Sequence, residues 1–164
     1  DLLKTISEEE LAALFLQNSD EPFYQIIARA VTNKISKGFI LDTTTKLQEI
    51  IKEALSLLPE STRKDEIKKC CQRCFQALRI EVNDEFGALD KFLDRLPEAL
   101  APGGRVAILS FHSGEDRRVK KAFQYFHREG IFSDVAQEPI RPTVQECTAN
   151  PRARSAKLRW AIKA

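Results

Sequence analysis

The sequence predicts an α/β fold preceded by a small all-helical unit, and three observations carry that prediction. Apolar residues recur every three or four positions in successive segments as far as Leu96. The period then changes to a continuous β-rich run, Arg105-Val106-Ala107-Ile108-Leu109-Ser110-Phe111, of strand length. Finally, Leu158, Trp160 and Ile162 alternate with Lys157, Arg159 and Lys163. A three-to-four period buries one face of a helix, whereas strict alternation marks a half-buried strand. Helix, glycine turn, buried strand, helix and closing strand make half of an α/β sandwich.

The 164 residues amount to one domain at a prior of about 150 residues per domain, long enough to bury a real core. Composition shifts place a helical part at 1–66 and an α/β part at 67–164. Within the first, Ser7-x-x-Glu10 reads as a capping box ahead of Leu11, Leu14 and Phe15. Pro22 suits the first turn of a second helix with Phe23, Ile26, Ile27 and Ala30 on one face and Gly38 as its stop. Thr45-x-x-Gln48 opens a third, with Leu47, Ile50, Ile51, Ala54 and Leu55 inside and Pro59 closing it.

The stripe Phe75, Leu78, Val82, Phe86, Leu89, Leu93, Leu96 predicts one long helix, with Gly87 and Pro97 as points of bending or termination. Pro102-Gly103-Gly104 is a tight turn, and the apolar run after it reads as a strand covered on both faces. Ser113 with Asp116 is read as the cap of the next helix, whose Val119, Ala122, Phe123 and Phe126 face inward and which Gly130 ends. A turn-rich segment from Glu138 to Pro151 precedes the closing strand.

Several classes are excluded. With 43% hydrophobic and 30% charged residues, 6 Gly and 7 Pro, the chain is neither collagenous nor low-complexity nor disordered. The longest apolar run, Leu11 to Leu16, is far short of the roughly 20 residues that cross a bilayer. The start reads acidic and helical rather than basic then apolar, so no signal peptide is expected. Cys70, Cys71 and Cys74 crowd together away from Cys147, which suits a reducing compartment, the cytoplasm or an organelle interior. The chain has no Met and starts at Asp1, so the expectation is a processed chain or part of something larger.

Charge is polarised. Residues 1–60 carry 6 basic and 10 acidic groups, while 139–164 carry Arg141, Arg152, Arg154, Lys157, Arg159 and Lys163 against Glu146 alone. Such a field attracts a polyanion such as nucleic acid, or it is a solvated basic tail.

Two stretches carry chemistry. Phe111-His112-Ser113-Gly114-Glu115-Asp116-Arg117 sits where the end of a strand meets the start of a helix. Ligands bind there in open α/β sheets, and first-turn N–H groups attract anions; the plain alternative is a helix cap with acids answering the dipole. Asn150-Pro151-Arg152-Ala153-Arg154-Ser155-Ala156-Lys157 is a turn with closely spaced cations and small residues between them. It suits phosphates, or is a basic turn into an edge strand. Cys71-x-x-Cys74 lacks the four converging ligands of a zinc site, so no metal is expected, and His127 reads as a partner of the helix dipole. No Gly-rich phosphate loop, G-x-S-x-G or HExxH occurs.

Ordered blocks make a family resemblance. They are Phe75-Gln76-Ala77-Leu78-Arg79-Ile80-Glu81-Val82-Asn83-Asp84-Glu85, then Gly103-Gly104-Arg105 leading to Ser110-Phe111-His112-Ser113 and Glu115-Asp116-Arg117, then Asn150 through Arg159. Together they resemble the small-subunit ribosomal RNA (cytosine-N4)-methyltransferase family. Ser7-Glu8-Glu9-Glu10-Leu11 and Ile27-Ala28-Arg29-Ala30 resemble that family's inserted helical domain, so the resemblance covers nearly the whole chain. One departure is Gly114, where the family usually has Leu.

The resemblance implies a Rossmann-like class I methyltransferase fold, of which this chain is the second half of the sheet plus the helical insertion. It implies S-adenosylmethionine as methyl donor and N4 of a small-subunit ribosomal RNA cytidine as acceptor. Phe111, His112 and Ser113 would form the catalytic rim, and Arg79, Asn83, Glu115, Asp116, Arg117, Asn150, Arg152, Arg154, Ser155 and Lys157 would contact the RNA substrate. The family's donor-binding positions lie upstream of anything in this sequence, so this chain alone is expected neither to bind the donor nor to be active. A catalytically inactive relative kept as an RNA-binding or ribosome-assembly factor is the alternative, and a structural subunit completing another protein's sheet is a third. A polypeptide supplying the missing half and a homodimer stay open as partners, and no membrane partner is expected.

Overall fold

The computed structural model describes residues 2–164, the Thr62 side chain excepted. They form two compact units, one running to Glu85 and the other from Phe86 to Ala164. Sequence reading puts the division after residue 66. It falls later because the helix beginning at Glu60 is continuous to Val82 and inserts Cys70, Cys71, Cys74 and Ala77 into the first core.

The first unit is helical: α1 (Leu2–Thr5), α2 (Glu8–Ser19), α3 (Tyr24–Ser36), α4 (Thr44–Ala54) and α5 (Glu60–Val82). The capping box forms as expected, with Ser7 Oγ accepting the Glu10 N–H and the Glu10 carboxylate accepting the Ser7 N–H. The cap of α4 is Thr43 rather than Thr45, and Pro59 introduces α5 instead of closing α4. Leu11, Phe15, Ile27, Val31, Ile50 and Ile51 join the α5 residues in one core. Glu21, in the α2–α3 turn, is wholly buried and is met by Arg73 Nε at 2.7 Å and the Phe23 N–H at 3.0 Å.

The predicted long helix is two helices. Asn83 caps α5, and Asp84 takes a left-handed φ of 48° before α6 (Glu85–Ala99). Asp tolerates this conformation better than most residues and is a poor helix former, so the chain turns here although the apolar spacing runs on. Phe75 and Leu78 pack on the first core, Leu89, Leu93 and Leu96 on the second, and Val82 between them is exposed.

The second unit adds β1 (Arg105–Ser110), α7 (Ser113–Arg128), β2 (Phe132–Val135), α8 (Val144–Ala149), a 3-10 turn (Pro151–Ser155) and β3 (Lys157–Lys163). The sheet order is β1-β3-β2, with β3 antiparallel to both neighbours, so β1 and β2 run parallel and are joined through α7. Gly103, at φ 73°, makes the turn that leads into β1. Val119, Phe123 and Phe126 of α7 pack with Phe132, Val135 and Ala161, as the spacing along α7 predicts.

Two expectations are corrected. First, β1 is covered on one face only: Val106 and Ile108 pack into the core while Ala107 and Leu109 on the other face are exposed. Second, the face of β3 turned inward carries Arg159 and Ala161, 4% and 0% exposed, rather than Leu158, Trp160 and Ile162. The reason is electrostatic. Arg159 is neutralised by Asp116 of α7, which makes its burial tolerable, and the large apolar residues are left on the far face. The short strand β2 and helix α8 do not stand out in the sequence. No helix among the described residues is long and apolar enough to cross a membrane.

Candidate functional site

The rim forms where β1 ends. The cap of α7 is His112 rather than Ser113: its Nδ1 accepts the Glu115 N–H at 3.4 Å, and its backbone is extended (φ −140°, ψ 163°). Nδ1 can accept only if the neutral ring carries its proton on Nε2, and Nε2 lies 3.3 Å from Glu115 Oε1. The other Glu115 oxygen accepts the Phe111 N–H at 3.0 Å. Glu115 thus clasps Phe111 and His112 together, the role that spacing had given to Asp116. Phe111 is half exposed, Ser113 and Arg117 are exposed, and His112 is half-buried. The corner offers an imidazole, a hydroxyl, first-turn N–H groups and a carboxylate, which can hydrogen-bond a base edge or hold a proton.

Asp116 turns the other way. It is 8% exposed, and Arg159 grips both carboxylate oxygens at 2.7 and 3.4 Å, with Lys157 Nζ at 3.4 Å. Burial alone would raise its pKa, but the hydrogen bond and charge of Arg159, with Lys157, hold the carboxyl below its ordinary value. Arg159 also donates to the Ala136 and Gln137 carbonyls, fastening the segment after β2. Asp116 and Lys157 are therefore engaged with each other and with Arg159 rather than presented outward.

The arginine hook precedes β3. Asn150 Oδ1 accepts the Arg152 N–H at 3.2 Å, Pro151 occupies the first position of the 3-10 turn, and Ala153, 6% exposed, anchors it. Asn150, Arg152, Arg154 and Ser155 are exposed. The strand register places Ser110 opposite Lys157, and Ser110 Oγ donates to the Lys157 carbonyl at 3.3 Å, so rim and hook share one end of the sheet. Arg79 and Asn83 belong to the first unit, where both donate to the carboxylate of Glu85.

Sequence reading did not single out Arg159 or Phe86 for the site. The Phe86 ring lies 5.8 Å from that of His112, directly over Gly114. A glycine in the first turn of a helix was the available signal for this close approach.

One group of potential metal ligands converges among the described residues: Glu21, Cys70 and Cys74, all buried. Cys70 and Cys74 face each other at 3.9 Å, and their hydrogen bond, with burial, pushes the Cys74 thiol far up. Three donors, one already neutralised by Arg73, make a packed polar contact in the core rather than a zinc site.

These features define the class: a mixed α/β protein with a polar rim at a strand end and a helical unit. A sequence model of the MraW methylase family matches residues 1–164, and the chain belongs to that family. It is 64% identical over 162 residues to ribosomal RNA small subunit methyltransferase H 2 of Alkaliphilus metalliredigens, covering 99% of this chain and 46% of the relative. It is 57% identical to methyltransferase H 1 of Lachnoclostridium phytofermentans, over 99% of this chain and 44% of the relative. With the corresponding protein of Rhodopirellula baltica the identity is 43%, over 97% and 46%. The chain spans about half the length of the curated relatives it matches.

Proposed function

We propose that this chain forms the substrate-side portion, helical insertion and second half of the sheet, of a Rossmann-like methyltransferase. That enzyme transfers a methyl group from S-adenosylmethionine to N4 of a cytidine in small-subunit ribosomal RNA. The observation that carries the reading is a rim and an exposed arginine pair at one end of a sheet, in a chain similar along its whole length to ribosomal RNA methyltransferases.

In this reading the donor is held by other polypeptide. A donor site of this fold needs a glycine-rich turn after a strand, yet β1 runs into Phe111-His112-Ser113 and β2 into Ala136-Gln137-Glu138. The sheet supports continuation beyond these strands: β1 has β3 as its neighbour on one side, and Leu109 and Phe111 are about half exposed. In this proposal further polypeptide pairs with β1 and brings the donor.

The residues present orient the acceptor. The N4 lone pair of cytosine is delocalised into the ring, so the base must be flipped out and its amine aimed at the donor. In this reading Phe111 supplies a face for the base, Ser113 and the α7 N–H groups hydrogen-bond it, and His112, steadied by Glu115, lines the corner beside the amine. Arg152 and Arg154 hold the flanking phosphates. Arg79 and Asn83 are proposed as further RNA contacts, and Asp116 and Lys157 as the fixture beneath them.

The test is nucleoside mass spectrometry of small-subunit RNA after incubation with the full-length protein and S-adenosylmethionine. N4-methylcytidine is expected, and its loss in His112→Ala. Absence of the modified nucleoside with the unaltered protein overturns the proposal and leaves an RNA-binding relative. Calorimetric titration of the 164-residue chain with the donor should give no heat of binding.

A further inference from the structure

We propose that Phe86 is the positioning residue of the His112 rim, seated in a notch that exists only because residue 114 is glycine. The inference rests on the reading of His112 as a rim group and adds a residue that holds it.

A Cβ on Gly114 would lie 2.6 Å from Phe86 Cζ, 3.2 Å from Phe86 Cε1 and 3.3 Å from His112 Nδ1. The first distance is well inside carbon–carbon contact, so even alanine would displace the ring. Phe86 is 9% exposed, and the plane of its ring is tilted 47° to the imidazole. On Phe86 the Arg118 guanidinium stacks 4.2 Å from the centroid, and Arg118 is ion-paired with Asp90.

The arrangement is a two-rung ladder. Phe86 and Asp90 are one turn apart on α6, Gly114 and Arg118 one turn apart on α7, so each rung repeats at the i, i+4 spacing that places side chains on one helix face. The lower rung is the charged pair, and the upper is the aromatic ring set against glycine. Between them they clamp the start of α7, where the imidazole accepts the Glu115 N–H. With phenylalanine at 86, a side chain at 114 would release His112 by displacing the ring, and a smaller residue at 86 would release it by leaving the notch unfilled.

The chain contains two histidines, so the imidazole proton spectrum of the 164-residue chain has one reporter at the rim and one, His127, at the far end of α7. Phe86→Leu and Gly114→Ala are expected each to shift and broaden the His112 ring resonances while leaving those of His127 in place. Phe123→Leu, a loss from the core of the same helix, is expected to lower stability and leave both reporters in place. In the full-length protein the two rim-side substitutions should lower kcat for methyl transfer by roughly 10- to 100-fold at unchanged KM for RNA, the scale of a catalytic group moved by about an ångström. His112 resonances unmoved by Phe86→Leu, or moved equally by Phe123→Leu, overturn the positioning role and leave the rim reading intact. Shifted resonances with unchanged kcat overturn the rim reading of His112, and with it the functional half of the proposal.

Discussion

Among the described residues each of the two units encloses a charge in an ion pair, and the pairs do different work. In the first, the turn after α2 sends Glu21 into the core to meet Arg73 of α5, and the carboxylate is fully enclosed while the guanidinium side chain stays 25% exposed. In the second, Arg159 of β3 is the enclosed member, its side chain 4% exposed, and the side chain of Asp116 of α7 is 12% exposed. The first pair closes a helical core. The second sits beneath a rim, and its acid follows His112 by four residues. The difference teaches that burying a charge fixes whichever partner cannot reach water, so the two pairs should fail from opposite ends.

The largest effects follow from stranding the enclosed charge. Arg73→Ala and Asp116→Ala should each destabilise the chain by about 3–5 kcal/mol in urea unfolding. Glu21→Gln and Arg159→Met should cost less, because Arg73 lies a quarter exposed and Asp116 keeps Lys157 Nζ at 3.4 Å. Equal losses from both ends of a pair would break the comparison. Next in size, Phe123→Ala should cost about 3–5 kcal/mol less any relaxation of the site, read in the same way.

The pH dependence sharpens it further. The folded carboxyl of Asp116 is held below its ordinary value of about 3.9, so its stabilisation is complete above that pH and disappears as pH falls through the lower, folded value. Thermal unfolding between about pH 5 and pH 2 should show this limb, and Asp116→Asn should flatten it. The smallest effect on stability, within about 0.5 kcal/mol, belongs to Arg152→Ala and Arg154→Ala on the exposed hook. Each should nevertheless weaken RNA binding and reduce its salt slope by roughly 0.7–0.9, and unchanged binding would refute the assignment to phosphates.

Much of this was legible beforehand where local chemistry and tertiary packing agree. Ser7 and Glu10 satisfy one another within four residues, and Val119, Phe123 and Phe126 have one side on which to be buried, so spacing suffices. The break at Asn83–Asp84 was hidden because an apolar period that serves two cores looks the same as one that serves one. The sense of β3 was misread because charge normally marks the outer face. Nothing local to Arg159 says that Asp116, 43 residues earlier, will meet it. The strand end and the helix start meet where the spacing puts them, but the cap is His112 rather than Ser113, so the carboxylate three positions on is Glu115 rather than Asp116.

Of the three described strands, the one that pairs with both others follows them in the chain. Arg105 pairs with Ile162 and Ser110 with Lys157, so neither β1 nor β2 has this shared neighbour until β3 has been synthesised. On the ribosome the edges of β1 and β2 that face β3 stay open until it emerges, a non-local closure that is slow and prone to mispairing. Chains halted before Leu158 should therefore be the species that chaperones capture.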